Sequence, residues 1–202
     1  MGKAERTREF IVEKTAPVFN RKGYAGTSMS DLTETTGLTK GAIYGNFENK
    51  DEVALAAFDY NLSRTRQRVM AAQSENPTAL GKLRAYISVY RKGLFNPTLS
   101  AGCPIVNTGI EADDTHPQLK KKVGEAINSW HRSISAIIHQ GIRSGEIKEH
   151  VDVAAFASLM IAMIEGGITV SKISGDISYL NQSLDQLEKQ IDLQLKKNDL
   201  KQ

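Results

Sequence analysis

Residues Gly23–Lys50 read GYAGTSMSDLTETTGLTKGAIYGNFENK, and this stretch predicts two short helices joined by a tight turn. Ser28 is a suitable N-cap for the first helix, because its hydroxyl can accept a hydrogen bond from a free backbone N–H group. Asp31 lies in the first turn, where the positive end of the helix dipole favours a carboxylate. Gly37 is expected to end this helix, since glycine tolerates the left-handed backbone of a C-terminal cap.

The second helix is predicted over residues 40–47, with Thr39 as its N-cap. Ile43 and Phe47 lie four residues apart, so both can anchor one side of this helix to a core. The other side carries a different set of residues: Lys40, Gly41, Tyr44 and Gly45.

The two glycines on this outward side need an explanation, because each costs about 1 kcal/mol relative to alanine inside a helix. A helix that only packs against a core has no use for glycine opposite its anchors. Glycine there lets another surface approach the backbone, and Lys40, Tyr44 and Asn46 supply hydrogen-bond donors around the gap. The stretch therefore predicts a helix–turn–helix whose second helix enters the DNA major groove, with Lys50 placed for a phosphate contact.

This stretch resembles the DNA-binding domain of the TetR family of bacterial transcriptional repressors. The motif is long and involves many positions, so it is more specific than a lone glycine pattern. The residues that carry the resemblance are Gly23, Tyr24, Thr27, Ser28, Gly37, Leu38, Thr39, Lys40, Gly41, Ile43, Tyr44, Asn46, Phe47 and Lys50. Thr36, Gly45 and Asn46 depart from the residues that are common in the family.

The resemblance implies a ligand-responsive repressor that binds a palindromic operator as a homodimer and is released by a small-molecule effector or by thiol modification. It implies an all-α fold of about nine helices, with a C-terminal helical domain for ligand binding and dimerisation. Phosphate contacts are expected from Thr27, Ser28, Tyr44, Asn46 and Lys50. Base edges are expected to face Lys40, Gly41, Ala42 and Gly45.

Composition agrees with a globular protein, since 40% of the 202 residues are hydrophobic and 24% are charged. The net charge is +3, and residues 1–50 carry eight Lys or Arg against six Asp or Glu. DNA binding must therefore depend on the arrangement of charges rather than on their number. The single cysteine excludes an intrachain disulfide and suits a reducing cytosol.

A cytoplasmic location is expected from the two segments that could direct the chain elsewhere. Residues 1–10 are charged throughout and contain no apolar core of an export signal. The longest apolar run, residues 153–164, ends at Glu165 and is shorter than a bilayer requires. We therefore expect no membrane partner.

The rest of the chain shows helical spacing of apolar residues and no strand pattern. Helices are predicted over residues 3–22 with a kink at Pro17, 50–73, 77–95, 105–112, 119–142 and 153–173, and in a last segment capped by Asp176. The predicted domains are a helix–turn–helix domain over 1–50, a linking helix over 51–76, and a ligand-binding and dimerisation domain over 77–202.

The helix predicted over residues 153–173 is apolar on most of its circumference, which predicts burial nearly all round. Two copies of the last two helices could achieve this as a four-helix bundle, and the alternative is that both helices complete a monomeric core. The residues expected at the dimer interface are Phe156, Met160, Gly166, Gly167, Leu180, Leu184, Leu187 and Ile191.

The resemblance also implies a small-molecule pocket in the C-terminal domain. Candidate lining residues are amphipathic or adaptable side chains: Tyr86, Tyr90, Phe95, Cys103, Ile110, Trp130, Ile134 and Met163. Each of them could equally belong to the core. Cys103 is also a candidate thiol sensor, which requires an exposed thiolate near a cation, and the alternative is an inert buried thiol.

Metal binding and catalysis find little support in the sequence. Its four histidines, His116, His131, His139 and His150, include no pair at i, i+4, and no pattern completes a zinc site. We expect no metal and no cofactor. The rival function is a helical small-molecule carrier or enzyme, with Cys103 as nucleophile and His131 as base.

Overall fold

The computed structural model describes residues 2–93 and 102–197, and these ranges are almost entirely helical. The helices are α1 (Lys3–Gly26), α2 (Met29–Thr36), α3 (Lys40–Tyr44), α4 (Lys50–Ser74), α5 (Ala79–Gly93), α6 (Pro104–Thr115), α7 (Pro117–Arg143), α8 (Val153–Ser174), α9 (Ser178–Gln190) and a π-helical turn at Ile191–Leu195. The described ranges contain no strand, and one isolated bridge joins Ile147 to Lys196. The all-α prediction with about nine helices is confirmed.

Helix α1 is longer than predicted and is interrupted at a different residue. Its non-helical backbone angles lie at Gly23 (φ 74°, ψ 177°) and not at Pro17. A left-handed φ is accessible to glycine without the steric cost that a Cβ atom brings, so the chain turns there before it enters α2.

Helix α3 is shorter than predicted, because the chain leaves the helix after Tyr44. The Asn46 side chain donates a hydrogen bond to the carbonyl of Ala42 at 2.9 Å, which satisfies one of the free carbonyls at this helix end. Asp176 likewise does not sit at the N-cap position of α9. That position belongs to Ile177, while the Asp176 carboxylate accepts from the Ser178 amide at 2.8 Å.

The chain divides into two compact units. The first, here called the head unit, contains Met1–Thr65 and Pro97–Ala126, and the second, the body unit, contains Arg66–Asn96 and Ile127–Gln202. The predicted domain boundaries follow the motif and do not coincide with these units. The head unit contains residues 51–65 and 97–126 in addition to the predicted helix–turn–helix domain.

Helix α6 belongs to the head unit because polar side chains bind it to the end of α1. The Asn20 amide donates to the carbonyl of Gly102 at 3.1 Å, and the Asn107 amide donates to the carbonyl of Asn20 at 3.0 Å. Asn20 is 4% exposed, so its polar groups require partners inside the protein.

An apolar core of the head unit is built from α1 to α4. Its buried members are Ile11, Ala16, Phe19, Leu32, Ile43, Phe47, Val53, Ala54 and Ala57. The predicted anchors Ile43 and Phe47 are 0% and 2% exposed and are therefore confirmed. Phe10 on α1 is 39% exposed and lies outside this core.

In the body unit, α9 packs directly on α8. Leu180, Leu184, Leu187 and Ile191 are each 0% exposed. A Cβ atom at Gly167 would lie 2.9 Å from Leu180 Cδ1, so glycine is needed for this close helix contact.

The predicted dimer residues stay a prediction, although most of them are buried within a single chain. Phe156 and Met160 are also buried, at 2% and 0% exposure, and the seam of α9 is covered by α8 of its own chain. Of the eight predicted residues, Gly166 is exposed. The spacing of the leucines identifies a buried face correctly but does not say which helix buries it.

Helix α8 is longer than the apolar run seen in the sequence, because it continues past Glu165 to Ser174. Within the described residues its 22-residue length and mean hydropathy of 1.9 would allow it, by length and composition only, to cross a membrane. One chain buries 39% of this segment, so much of an apolar helix is left without cover.

Candidate nucleic-acid interface

Helix α2 begins with the cap that the sequence predicts. The Ser28 hydroxyl accepts from the Asp31 amide at 3.1 Å, and the Asp31 carboxylate accepts from the Ser28 amide at 2.8 Å. The Lys22 ammonium lies 2.5 Å from Asp31, and hydrogen bonds from Lys22 and then from Ser28 lower the pKa of the Asp31 carboxyl to about 2. Gly37 ends the helix at φ 69°, so both caps of α2 are confirmed.

Helix α3 is fixed at its start and on its inner side. The Thr39 hydroxyl accepts from the Ala42 amide at 3.2 Å, which confirms Thr39 as the N-cap. Ile43 and Phe47 hold the inner side in the core of the head unit. The orientation of α3 is thereby set, and its opposite side faces away from the protein.

The outer side of α3 is bare. Lys40, Gly41, Tyr44 and Gly45 are all exposed. A Cβ atom at Gly41 would meet no heavy atom closer than the Thr39 hydroxyl at 4.0 Å, so the protein itself gives no steric reason for glycine there. Gly45 differs, since a Cβ atom there would lie 3.3 Å from the Gly41 carbonyl.

Two cationic side chains lie beside tyrosine rings near this surface. The Lys40 ammonium lies 5.8 Å from the centre of the Tyr44 ring. The Lys50 ammonium lies 4.3 Å from the centre of the Tyr24 ring, at the first residue of α4. The two rings therefore limit the positions that the Lys40 and Lys50 ammonium groups can take towards DNA.

Two residues that we predicted to contact phosphates, Thr27 and Asn46, have side chains that bind the protein's own backbone. Thr27 is 0% exposed, and its hydroxyl donates to the Gly23 carbonyl at 2.6 Å, so its side chain serves the turn after α1. The Asn46 amide caps α3 through Ala42, and the Asn46 carbonyl accepts from Arg8 at 2.5 Å. We therefore leave both residues out of the proposed interface.

Arg8 is a structural residue that sequence reasoning missed. Besides Asn46, its guanidinium pairs with Glu52 at 2.5 Å and lies 4.0 Å from the centre of the Phe47 ring. The pKa of Glu52 is lowered, first by a hydrogen bond from the Glu48 amide and then by Arg8. Arg8 thus holds α1 against the segment after α3, and no local signal marks partners 38 and 44 residues away.

Tyr24 is a second residue whose role the motif did not show. Its hydroxyl donates to the carboxylate of Asp51, and this bond together with burial raises the pKa of Tyr24 to about 12. The ring also meets the His116 ring edge-on at 4.7 Å between centroids. Tyr24 therefore joins α1, α4 and the start of α7 inside the head unit.

In the body unit, several of the predicted ligand residues come together. The Trp130 ring lies 5.8 Å from that of Tyr90 and 6.2 Å from that of Tyr86, with interplanar angles of 28° and 31°. The Tyr86 hydroxyl lies 3.1 Å from the Ser133 hydroxyl, and burial raises the pKa of Tyr86. Trp130 Nε1 is buried and has no hydrogen-bond partner among the described residues.

The other predicted ligand residues are scattered. Cys103 is 3% exposed and Ile110 is 75% exposed, and both belong to the head unit. Ile134 is fully buried in the body unit, where Met163 is partly buried. Phe95 lies outside the described residues. Among the described residues no group of three His, Cys, Asp or Glu side chains is arranged to hold a metal ion.

Known families match the two parts of the chain that carry these features. Residues 11–57 match the family described as bacterial regulatory proteins, tetR family. Residues 79–187 match the tetracyclin repressor-like C-terminal domain, which is more than half of the chain. The chain belongs to the TetR family. It is a DNA-binding transcriptional repressor of the ligand-responsive type that is typical of TetR regulators.

Solved structures of TetR regulators agree in fold and in sequence. A TetR-family regulator from Cytophaga hutchinsonii is 44% identical and has a TM-score of 0.90, covering 98% of this chain and 99% of that one. A TetR regulator from Chloroflexus aurantiacus J-10-FL is 38% identical, with a TM-score of 0.92 and coverage of 98% and 100%. The HTH-type transcriptional repressor DhaR from a Mycobacterium species is 26% identical over 88% of both chains.

Proposed function

We propose that this TetR repressor reads its operator with the outer side of α3. The observation that carries the proposal is the bare backbone at Gly41, which is flanked by exposed Lys40 and Tyr44. A helix without a side chain at its centre can lie deeper in the major groove. Ser28, Tyr44 and Lys50 are assigned to phosphates, and Lys40, Gly41, Ala42 and Gly45 to base edges.

Selection of bound duplexes from a random DNA pool tests this proposal. We expect a two-fold symmetric site with half-sites about 34–36 Å apart, or a multiple of that distance. Lys50→Ala should weaken binding to all sequences and reduce the slope of log K against log salt by about 1. Lys40→Ala should in addition relax sequence choice.

Lys92→Ala is the matched control, because Lys92 is an exposed lysine in the last turn of α5 and belongs to the body unit. Its affinity and salt slope should equal those of the unmodified protein. Equal slopes for the Lys50 and Lys92 variants would contradict the assignment of Lys50 to a phosphate.

A homodimer is part of the same proposal, since a two-fold operator requires two reading heads. Support comes from the uncovered side of α8, where Ala162, Gly166, Val170 and Ile173 are exposed at helical spacing. Val170 is 46% and Ile173 is 82% exposed, which is costly for aliphatic side chains in water. We therefore place the dimer contact on this outer side and not on the buried seam of α9.

An open groove of about 430 Å³ extends this surface at the start of α8. Its lining combines apolar α8 side chains with the preceding loop and one residue of the C-terminal segment: His150, Val151, Asp152, Ala155, Phe156, Leu159 and Gln194. Exposed Ala155 and half-buried Leu159 continue the α8 row towards its N-terminus. A partner helix laid along α8 would fill the groove and cover the row together.

The double variant Val170→Lys, Ile173→Lys is expected to be a folded monomer. Two ammonium groups in an apolar interface would each need a partner that α8 does not offer, so association should weaken at least about 100-fold, equivalent to about 2.7 kcal/mol. Light scattering after size-exclusion chromatography measures the mass. Ile110→Lys is the control, because Ile110 is similarly exposed but lies on α6; a dimeric double variant would place the interface elsewhere.

The effector is proposed to bind in the body unit beside Trp130. A planar, largely apolar ligand that stacks on Tyr86 or Tyr90 and accepts a hydrogen bond from Trp130 Nε1 would satisfy the one buried donor that has no partner among the described groups of this cluster. Trp130 is the only tryptophan of the chain, so its fluorescence reports binding directly. Trp130→Phe should keep the stacking surface and weaken such ligands about tenfold, measured for both proteins by isothermal titration calorimetry because the variant has no tryptophan. An unchanged affinity would contradict the Nε1 contact.

Neither release by thiol modification nor the rival enzyme is supported. Both require access to the Cys103 sulfur, and this side chain is 3% exposed. A cytoplasmic location is proposed, in which a partner subunit rather than a bilayer covers α8. No observation in the described residues favours a second function.

A further inference from the structure

One carboxylate on α6 reaches the segment that leads into the helix–turn–helix. Glu111 Oε2 accepts a hydrogen bond from the Tyr24 amide at 2.7 Å, and Oε1 accepts from the Ala25 amide at 2.6 Å. The residues joined are 87 and 86 positions apart in sequence. Both oxygens of one ionised group are thus used on two consecutive backbone N–H groups, which is a strong form of hydrogen bonding.

These two amides need an outside acceptor because of the break in α1. At Gly23 the backbone leaves the helical region, so the next N–H groups no longer face carbonyls of the preceding turn. Space for the carboxylate also depends on this residue, since a Cβ atom at Gly23 would lie 2.3 Å from Glu111 Oε2. The helix break at Gly23 therefore both creates the need for an acceptor and leaves space for the Glu111 carboxylate.

Tyr24 links Glu111 to the proposed DNA surface. Its backbone amide donates to Glu111 and its hydroxyl donates to Asp51. The Lys50 ammonium lies 4.3 Å from the centre of its ring. Only three residues separate Tyr24 from Ser28, the N-cap of α2. A shift of Glu111 relative to α1 would therefore move both a phosphate contact and the start of the helix–turn–helix.

We infer that Glu111 is a positioning residue for DNA binding, because its carboxylate fixes the main chain that leads into the helix–turn–helix. The inference rests on the proposed function. It assigns to Glu111 an effect on Lys50 and Ser28 that acts through the main chain at Tyr24 and Ala25.

The inference predicts a change in operator affinity opposite in sign to the change that simple electrostatics predicts. Removal of an acidic charge from a DNA-binding unit reduces repulsion and should, by charge alone, tighten binding. Glu111→Gln and Glu111→Ala are expected instead to weaken binding of the selected operator about tenfold, the size of a typical coupling through packed networks. Gln should lose less than Ala, because its carbonyl can still accept one of the two bonds.

Asp113→Asn is the matched control. Asp113 lies on the same helix and pairs with exposed Lys120 at 2.7 Å, away from the α1 segment. Its removal changes the charge by the same amount and should leave operator affinity unchanged or slightly higher. Circular dichroism and thermal unfolding of all three variants separate folding from positioning.

A double-mutant cycle with Lys50→Ala distinguishes positioning from a general loss of structure. If Glu111 acts through Tyr24 and Lys50, the loss caused by Glu111→Gln should shrink in the Lys50→Ala background, with a coupling of at least about threefold. Additive losses would overturn the inference. So would an unchanged affinity of the Glu111 variants in a protein that binds its operator, whereas absence of any operator binding by the unmodified protein would refute the proposed function instead.

Amide hydrogen exchange gives a test that needs no variant. The Tyr24 and Ala25 amides should exchange slowly in the unmodified protein although Ala25 is exposed, and more slowly still with operator bound. Fast exchange at both amides in the complex would show that the Glu111 contact does not accompany DNA binding and would overturn the inference.

Discussion

Gly41→Leu is expected to eliminate operator binding while leaving the fold intact. The new side chain would project from the bare outer side of α3 into the space assigned to the duplex, and no atom of the protein opposes it. We expect an operator affinity at least about 100-fold lower, a loss of about 2.7 kcal/mol. Stability should rise by up to about 1 kcal/mol, because leucine favours a helix more than glycine does.

Because Gly41→Leu should raise stability and lower operator affinity, a loss of binding cannot be attributed to unfolding. Gly124→Leu is the control, since Gly124 lies on α7 and a Cβ atom added there would also have no heavy atom within 4 Å. This variant should keep its operator affinity in fluorescence anisotropy. A Gly41→Leu protein that still binds would mean that the duplex does not lie against α3.

Gly23→Ala is expected to be the most destabilising small substitution in the head unit. The backbone there has φ 74° and ψ 177°, a region essentially restricted to glycine, which costs an L-residue about 1–3 kcal/mol. The methyl group would in addition push the Glu111 carboxylate away from the Tyr24 and Ala25 amides, leaving those donors without their acceptor. Together we expect about 2–4 kcal/mol from denaturant unfolding followed by circular dichroism.

A Glu111→Ala background separates the two contributions, and Gly37→Ala gives a reference for a glycine in the left-handed helical region. Gly37 has φ 69° and no heavy atom within 4 Å of its Cβ position, so only the backbone cost of about 1–2 kcal/mol applies. In a Glu111→Ala background, Gly23→Ala should cost less than it does in the unmodified protein, because only its backbone cost of about 1–3 kcal/mol remains. An equal cost of Gly23→Ala in the two backgrounds would show that the Glu111 contact contributes nothing to stability.

Local signals predicted the helix–turn–helix correctly. Ser28, Gly37 and Thr39 have caps whose partners lie within four residues, so the sequence contains the whole interaction. Ile43 and Phe47 follow from helical spacing alone. The break at Gly23 was less predictable, because the acceptor for the amides that follow it, Glu111, lies 86 residues away from Ala25.

Long-range partners explain what the sequence did not predict. Arg8 and Glu111 look like ordinary charged residues of helix surfaces, and only the fold brings them to the backbone that they bind. The leucine spacing of α9 indicated burial, yet the covering helix is α8 of the same chain. Thr27 was assigned to DNA because it belongs to the motif, but its hydroxyl is used inside the turn after α1.

The place of α6 in the head unit bears on how such regulators can be recombined. A chimera joined near residue 50 or 76 would carry the DNA-reading helices of this protein without residues 97–126, which complete their compact unit. A foreign α6 would have to supply a carboxylate opposite Gly23 for the Tyr24 and Ala25 amides, and the partners of Asn20 as well. Compatibility between the halves of a hybrid biosensor would then depend on a few named contacts that can be checked in the sequences before any gene is built.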